Sequence, residues 1–241
     1  MDAPVPPHSP AQIAAYMRAA AGSRPGSRPG GRIGPFTARL DAHSDDPMRN
    51  YAVPDHDARP SAGDIDALIT FFRRSNRIPR LEYVEEDAPR AWPPLAAAGF
   101  TIERRTPVMT ATPVTRLTPR SPAGITIRQA VSEADMADAA AIQHHAYQLS
   151  RPPGPHDIAR LTRLAQRGGL VAIAVGELAA VAVLTTFRPR GIASALSAHL
   201  ARTAHSQGIS LVFLEAEPEE EQIYRRTGFT DATAKIWASI R

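Results

Sequence analysis

A chain of 241 residues and 26.0 kDa, 43% of it hydrophobic, is long enough for one large or two small folded domains and too apolar for wholesale disorder. It contains no cysteine, which excludes disulfides, thiolate zinc sites and cysteine nucleophiles together and fits a reducing, cytoplasmic setting. The net charge of +4 comes mostly from scattered arginines without interleaved aromatics, the pattern of a solvated surface, so a nucleic-acid partner is not expected.

The chain opens on Asp2 and several prolines, with no basic segment followed by an apolar core, so no secretory segment is expected. Residues 1–31 read as a flexible segment carrying a short helix over Ala11 to Ala20, where Ile13, Tyr16 and Met17 recur at helical spacing. The Gly/Ser/Arg/Pro repeat from Gly22 to Gly31 reads as a loop. Arg32 to Leu40 reads as a strand and Asn50 to Val53 as another, across a polar turn from His43 to Pro47. Ser61 is placed to cap a helix that carries Ile65, Leu68, Ile69 and Phe72 and runs to about Arg74. A strand over Ile78 to Tyr83 follows. Ala88 to Ala98 reads as a helix that Pro93 and Pro94 must shorten or kink, and Phe100 to Met109 as a strand.

Thr110 to Ala123 holds three prolines and little periodicity, which predicts a linker over 111–123 between a domain at 32–110 and another at 124–241. In the second, Gly124 to Ala130 reads as a strand. Ser132-Glu-Ala-Asp135 then opens a helix to about Tyr147, and His156 to Gln166 forms a second helix. Strands over Leu170 to Val175 and Leu178 to Leu184 meet at Gly176; this is the most apolar run of the chain, and at 15 residues with Glu177 inside it is too short to span a membrane. A helix from Ala195 to Gln207, a strand from Ser210 to Glu215, a helix from Pro218 to Thr227 and a strand from Phe229 to Trp237 complete the pattern. The order of elements predicts α/β architecture with a mixed sheet.

Chemistry concentrates at Arg188-Pro189-Arg190-Gly191-Ile192-Ala193-Ser194, an Arg/Gly loop that follows an apolar strand and opens a helix. The first turn of a helix presents N–H groups without intrahelical partners and the positive end of the helix dipole, a combination suited to phosphate. Pro189 has no N–H and cannot donate. The loop resembles the R/Q-x-x-G-x-G/A element of the GNAT superfamily of N-acetyltransferases. Two further features follow the same pattern: Glu177 to Val183, beginning eleven residues before Arg188, and Glu221-Gln-Ile-Tyr224-Arg-Arg-Thr-Gly228-Phe229. The resemblance extends over roughly Gly124 to Arg241.

The resemblance implies a GNAT fold and transfer of an acetyl group from acetyl-CoA to an amine acceptor in a ternary complex, without metal. It implies that the backbone of Arg188, Pro189, Arg190, Gly191, Ile192, Ala193 and Ser194 cradles the pyrophosphate, close approach being the use of Gly191. It also implies that Val181, Ala182 and Val183 pair with pantetheine and that an N–H near Val183 meets the oxyanion. Tyr224 is implied as general acid to the CoA thiolate and Glu177 as general base. A packing role for Tyr224 and a solvated turn for Glu177 are the alternatives, the latter because only two strands fit between the second helix and the loop where the family usually has three. Acceptor contacts are implied for the stretch Tyr147 to Pro155. A non-catalytic acetyl-CoA-binding regulatory or scaffold protein of the same fold is the alternative function.

The histidines at 144, 145, 156, 199 and 205 have no metal-ligand spacing and are read as surface or core residues. The first half repeats the second in outline: helix, strand with Leu81-Glu82, helix, Gly99-Phe100 strand against helix, strand with Leu214-Glu215, helix, Gly228-Phe229 strand. This resembles a tandem of two GNAT-like domains, each with a mixed, mostly antiparallel sheet flanked by helices. The first is degenerate, lacking both the phosphate loop and a counterpart of Tyr224, and is expected to shape the acceptor cleft without binding CoA.

Overall fold

The computed structural model describes residues 10–23, 27–42, 45–113, 117, 125–146, 151–176 and 191–241. A helix α1 (Pro10–Ser23) opens the described chain and buries Ile13 and Ala14. The Gly/Arg/Pro repeat does not remain a loop, since its second half starts a strand. The run read as one strand over 32–40 is a hairpin, β1 (Ser27–Ile33) and β2 (Phe36–Asp41). Ile33 pairs directly with Phe36 across Gly34-Pro35, and Gly34 takes φ +51. A Cβ on Gly34 would also lie 2.2 Å from Asp64 Oδ1, so glycine is demanded by both backbone and space. β1 lies at the sheet edge, where a proline is tolerated, and a register shift between Pro29 and Arg32 takes up Gly30 and Gly31.

β3 (Tyr51–Pro54) leads into α2 (Ala62–Arg74), whose start is a capping box: Ser61 Oγ accepts from Asp64 N at 3.2 Å, and Ser61 N donates to Asp64 Oδ2 at 2.9 Å. Ile65, Leu68 and Phe72 bury one stripe of this helix. β4 (Arg80–Val84) then lies parallel to β3, as a crossover helix requires. Pro93 and Pro94 fall in the first turn of the short α3 (Trp92–Ala97), where a missing N–H is not needed; they start the helix late and do not kink it. β5 (Thr101–Ala111) follows.

The second half supplies β6 (Ile125–Gln129), α4 (Glu133–Ala146), α5 (Pro155–Gln166), β7 (Ala172–Gly176), α6 (Ile192–Ser206), β8 (Val212–Glu215), α7 (Glu221–Thr227) and β9 (Thr230–Ser239). Among the described residues, β6 and β7 form an antiparallel pair, and the remaining strands form one seven-stranded sheet in the order β1-β2-β3-β4-β9-β5-β8. The last strand of each half therefore lies beside the other half's Leu-Glu strand: β9 against β4, and β5 against β8. The strand expected over Leu178 to Leu184 and most of the linker lie outside the described residues.

The compact units of the chain are not contiguous in sequence. One compact unit joins residues up to Thr110 with Phe213–Glu221 and Asp231–Arg241; the other holds Ala111–Val212 and Gln222–Thr230. In the first unit, Leu81 pairs with Ala238 and Tyr83 with Ile236, and this face of the sheet joins Ile65, Leu68, Phe72, Leu95 and Phe100 in the core. The other face of the same two strands buries Val84 and Ser239 together with four charged or aromatic residues, Arg80, Glu82, Lys235 and Trp237. Lys235 Nζ donates to Glu82 Oε2 and to Glu215 Oε1, each at 2.8 Å. Arg80 reaches Glu82 at 2.7 Å and Glu103 at 2.9 Å. Lys235, Arg104 and Arg80 stand 3.9, 4.2 and 4.3 Å from the centre of the Trp237 ring. Burial pushes the Glu82 carboxyl up, against the lowering fields of Lys235 and Arg80. In the second unit the core gathers Ala130, Met136, Ala139, Ala140, Leu161, Val171 and Ile173 between the β6–β7 pair and helices α4 and α5.

Truncating Lys235 removes one of the two cations that face the buried Glu82 carboxylate and leaves it to Arg80 alone. Lys235→Ala is expected to lower the unfolding free energy by about 3–5 kcal/mol, and Lys235→Met combined with Glu82→Gln to recover most of it. Urea denaturation of the three proteins measures both changes.

Candidate functional site

Gly191 caps α6 at φ +74, and its carbonyl accepts from Ala195 N at 3.0 Å. A Cβ there would meet nothing within 4 Å, so the described chain leaves room for a side chain; the need for glycine at this position comes from φ. Ile192 is buried and, with Leu196, lines an apolar cavity of about 90 Å³ shared with Ile125, Ile142, Val171 and Ile173. Gly191 and Ala193 are exposed. The first turn of α6 is thus anchored on one side and open on the other, and the unpaired N–H groups and dipole of a helix start suit an anion.

Helix α7 meets this turn. Ser194 Oγ hydrogen-bonds Thr227 Oγ1, and Thr227, fully buried, donates to the Ile223 carbonyl at 2.8 Å. Tyr224 lies one turn before Thr227 on the same face of α7 and is half-buried. Its ring stands edge-on to Phe229, with centroids 6.2 Å apart and planes at 69°. Its carbonyl accepts from the N–H groups of Gly228 (3.1 Å) and Phe229 (3.0 Å), a helix end for which Gly228 adopts φ +113.

Gly191, Ile192, Ala193, Ser194 and Tyr224 are therefore described, and one hydrogen bond joins the helices that carry them. Glu177, Val181, Ala182, Val183, Arg188, Pro189 and Arg190 lie outside the described residues. Thr227 was not singled out in the sequence, although its spacing of three from Tyr224 put both on one helix face.

A second polar centre holds the start of α5. Asp157 is fully buried; its carboxylate accepts from Arg151 at 2.8 and 3.2 Å and from Gly154 N at 3.0 Å, and lies 3.3 Å from His144 Nε2. His144 is a buried core residue whose Nδ1 lies 2.9 Å from the Arg151 carbonyl. Pro153, Gly154 and Pro155, in the stretch implied for acceptor contacts, line a cleft of about 610 Å³ together with Met136, Ile158 and Thr162. Among the described residues no group of three or more histidine or acidic side chains is placed to hold a metal, and no helix is long and apolar enough to cross a membrane.

An α/β scaffold with a mixed sheet flanked by helices, and a glycine-capped helix start bonded to a tyrosine-bearing helix, define a GNAT-like fold. A family model described as an acetyltransferase (GNAT) domain matches residues 162–232, the stretch that contains α6 and α7. The chain is similar to a GCN5-related N-acetyltransferase from Kribbella flavida, at TM-score 0.68 and 20% identity over 95% of this chain and 93% of that one. It is also similar to one from Sphaerobacter thermophilus, at TM-score 0.60 and 18% identity over 97% and 94%. No curated protein matches.

Burial opposes ionisation of Asp157, but Arg151, the Gly154 N–H and His144 outweigh it and hold the carboxyl well below the usual range. Because its native pKa lies below the unfolded one, the resulting stability is complete above about pH 4 and is lost as pH falls through the native value. Acid titration of the fold by circular dichroism is expected to show Asp157→Asn less stable near neutrality and flatter than wild type on its acid limb.

Proposed function

We propose that the chain is an N-acetyltransferase that moves an acetyl group from acetyl-CoA to an amine acceptor by direct transfer. The observation that carries this reading is the Ser194–Thr227 hydrogen bond, which joins an open helix start to the helix bearing Tyr224. The Arg188 to Ser194 loop takes the pyrophosphate, with backbone N–H groups and the α6 dipole supplying the attraction. Val181 to Val183 pair with the pantetheine amides, and an N–H near Val183 meets the developing oxyanion.

In the reaction the neutral amine attacks the thioester carbon, and the C–S bond of the tetrahedral intermediate then breaks. Tyr224 delivers its phenolic proton to the departing thiolate, a donor type suited to a thiol-derived leaving group. Glu177 accepts the proton lost by the amine, directly or through water. The first half is proposed to be a degenerate copy without a CoA site, and the protein to act in the cytoplasm. A second reading, an acetyl-CoA-binding regulatory protein without turnover, is supported by Pro189, which offers no N–H to the phosphates, and by the sequence room for two strands where three are usual.

Calorimetry with acetyl-CoA tests the shared premise, and turnover over an amine panel separates the readings: binding without transfer favours the second, and no binding removes both. Asparagine tolerates the left-handed backbone that Gly191 adopts, so Gly191→Asn is expected to keep acetyl-CoA affinity within about threefold, whereas Gly191→Asp loses about tenfold or more to charge repulsion. Equal affinities for the two variants would remove the phosphates from this helix start. Tyr224→Phe is expected to lower kcat about 10²-fold with little change in acetyl-CoA affinity, measured by steady-state kinetics beside calorimetry.

A further inference from the structure

We infer that Thr227 is a positioning residue which holds the Tyr224 helix against the start of α6, and that Ser194 serves a bound phosphate by its N–H while its hydroxyl is committed to Thr227. The inference rests on the acetyl-transfer reading and adds to it the way the acid is aimed.

Proton accounting fixes the direction of the contact. Thr227 has one hydroxyl proton, and it goes to the Ile223 carbonyl at 2.8 Å, an acceptor with nothing to return. Thr227 Oγ1 must therefore accept, and Ser194 Oγ–H must donate. Phosphate oxygens also only accept, so once its proton is given to Thr227 the Ser194 hydroxyl has none for the cofactor. Thr227 is fully buried, so water does not compete for its oxygen. A side chain that an anion-binding loop would otherwise offer to its ligand is used as a tether.

The tether matters because α7 is seven residues long, too short to hold its shape or direction by itself. Its contacts within the second unit include the Ser194–Thr227 bond and the packing of Tyr224 on Phe229. Proton transfer requires heavy atoms within about 2.6–3.2 Å, and a displacement of about 1 Å can cost on the order of 10²-fold in rate. Loss of the Thr227 hydroxyl therefore acts on the chemical step through Tyr224 and leaves the N–H groups of α6 in place.

The test compares wild type, Thr227→Val, Thr227→Ser and Ser194→Ala, each labelled with 13Cζ tyrosine. The readouts are the Tyr224 resonance, calorimetry with acetyl-CoA, and initial rates with acetyl-CoA and whichever amine wild type accepts. Thr227→Val is expected to move the Tyr224 resonance, lower kcat about tenfold and keep acetyl-CoA affinity within about threefold, with Thr227→Ser restoring wild-type values. Ser194→Ala breaks the same bond from a partly exposed position and is expected to move the same resonance, which keeps the test decisive if Thr227→Val does not fold. An unmoved Tyr224 resonance in the variants, or a tenfold loss of affinity with kcat unchanged, would overturn the inference. A wild-type protein that binds no acetyl-CoA removes the proposed function, while the resonance still decides whether the tether exists.

Discussion

The Lys235 ammonium holds the sheet in its unusual order. It lies between Glu82 of β4 and Glu215 of β8, with the Trp237 ring beneath it, on a face where an apolar side chain would ordinarily sit. Such a cluster gives little net stability over a well-packed apolar alternative, because the Lys235 ammonium and the Glu82 carboxylate have left water. Its contribution is to specificity. An ammonium buried among carboxylates tolerates one register, and a slip of one residue along β4 would carry Lys235 to the apolar face with Leu81 and Tyr83. The cluster thus selects the pairing in which β9 enters between β4 and β5.

The repeat in the sequence acquires a physical meaning from this arrangement. Leu81-Glu82 and Leu214-Glu215 were notable only as a recurring dipeptide. In the fold, Leu81 belongs to the apolar core, while both glutamates bind the same ammonium. The last strand of each half lies beside the other half's Leu-Glu strand, so the compact units are not contiguous in sequence. Cutting the chain at the linker would take Lys235 away from Glu82 and leave the buried carboxylate to Arg80 alone.

What the sequence disclosed follows from how local each signal was. The cap at Ser61 and the apolar stripe of α2 depend on residues within one or two turns, and each was legible, whereas α6 starts at Ile192, three residues before the expected Ala195, because Gly191 caps it. The hairpin over 27–41 was not, because Pro29, Gly30 and Gly31 argue for a loop until edge pairing with β2 makes a proline and a bulge harmless. The exchange of β9 was equally hidden, since its final strand has ordinary alternation and only long-range pairing tells it which neighbours to take. In the site, the glycine and tyrosine stood out by pattern, whereas Thr227 did not. A threonine near a helix end has many uses, and its role here is set by a serine 33 residues away.

The same ammonium also bears on the helix that carries Tyr224. In sequence α7 lies between β8 and β9, and the Glu215–Lys235 pair closes a span of 20 residues around it. Closing a span of that length removes several kcal/mol of loop freedom, by the order of magnitude of (3/2)RT ln n plus its constant. A seven-residue helix needs such help, since its own hydrogen bonds barely offset the cost of nucleation. The Ser194–Thr227 bond, inside the second unit, acts on the rotation and tilt of α7. A single buried hydroxyl, that of Thr227, is thus the contact through which the start of α6 acts on the helix bearing the tyrosine.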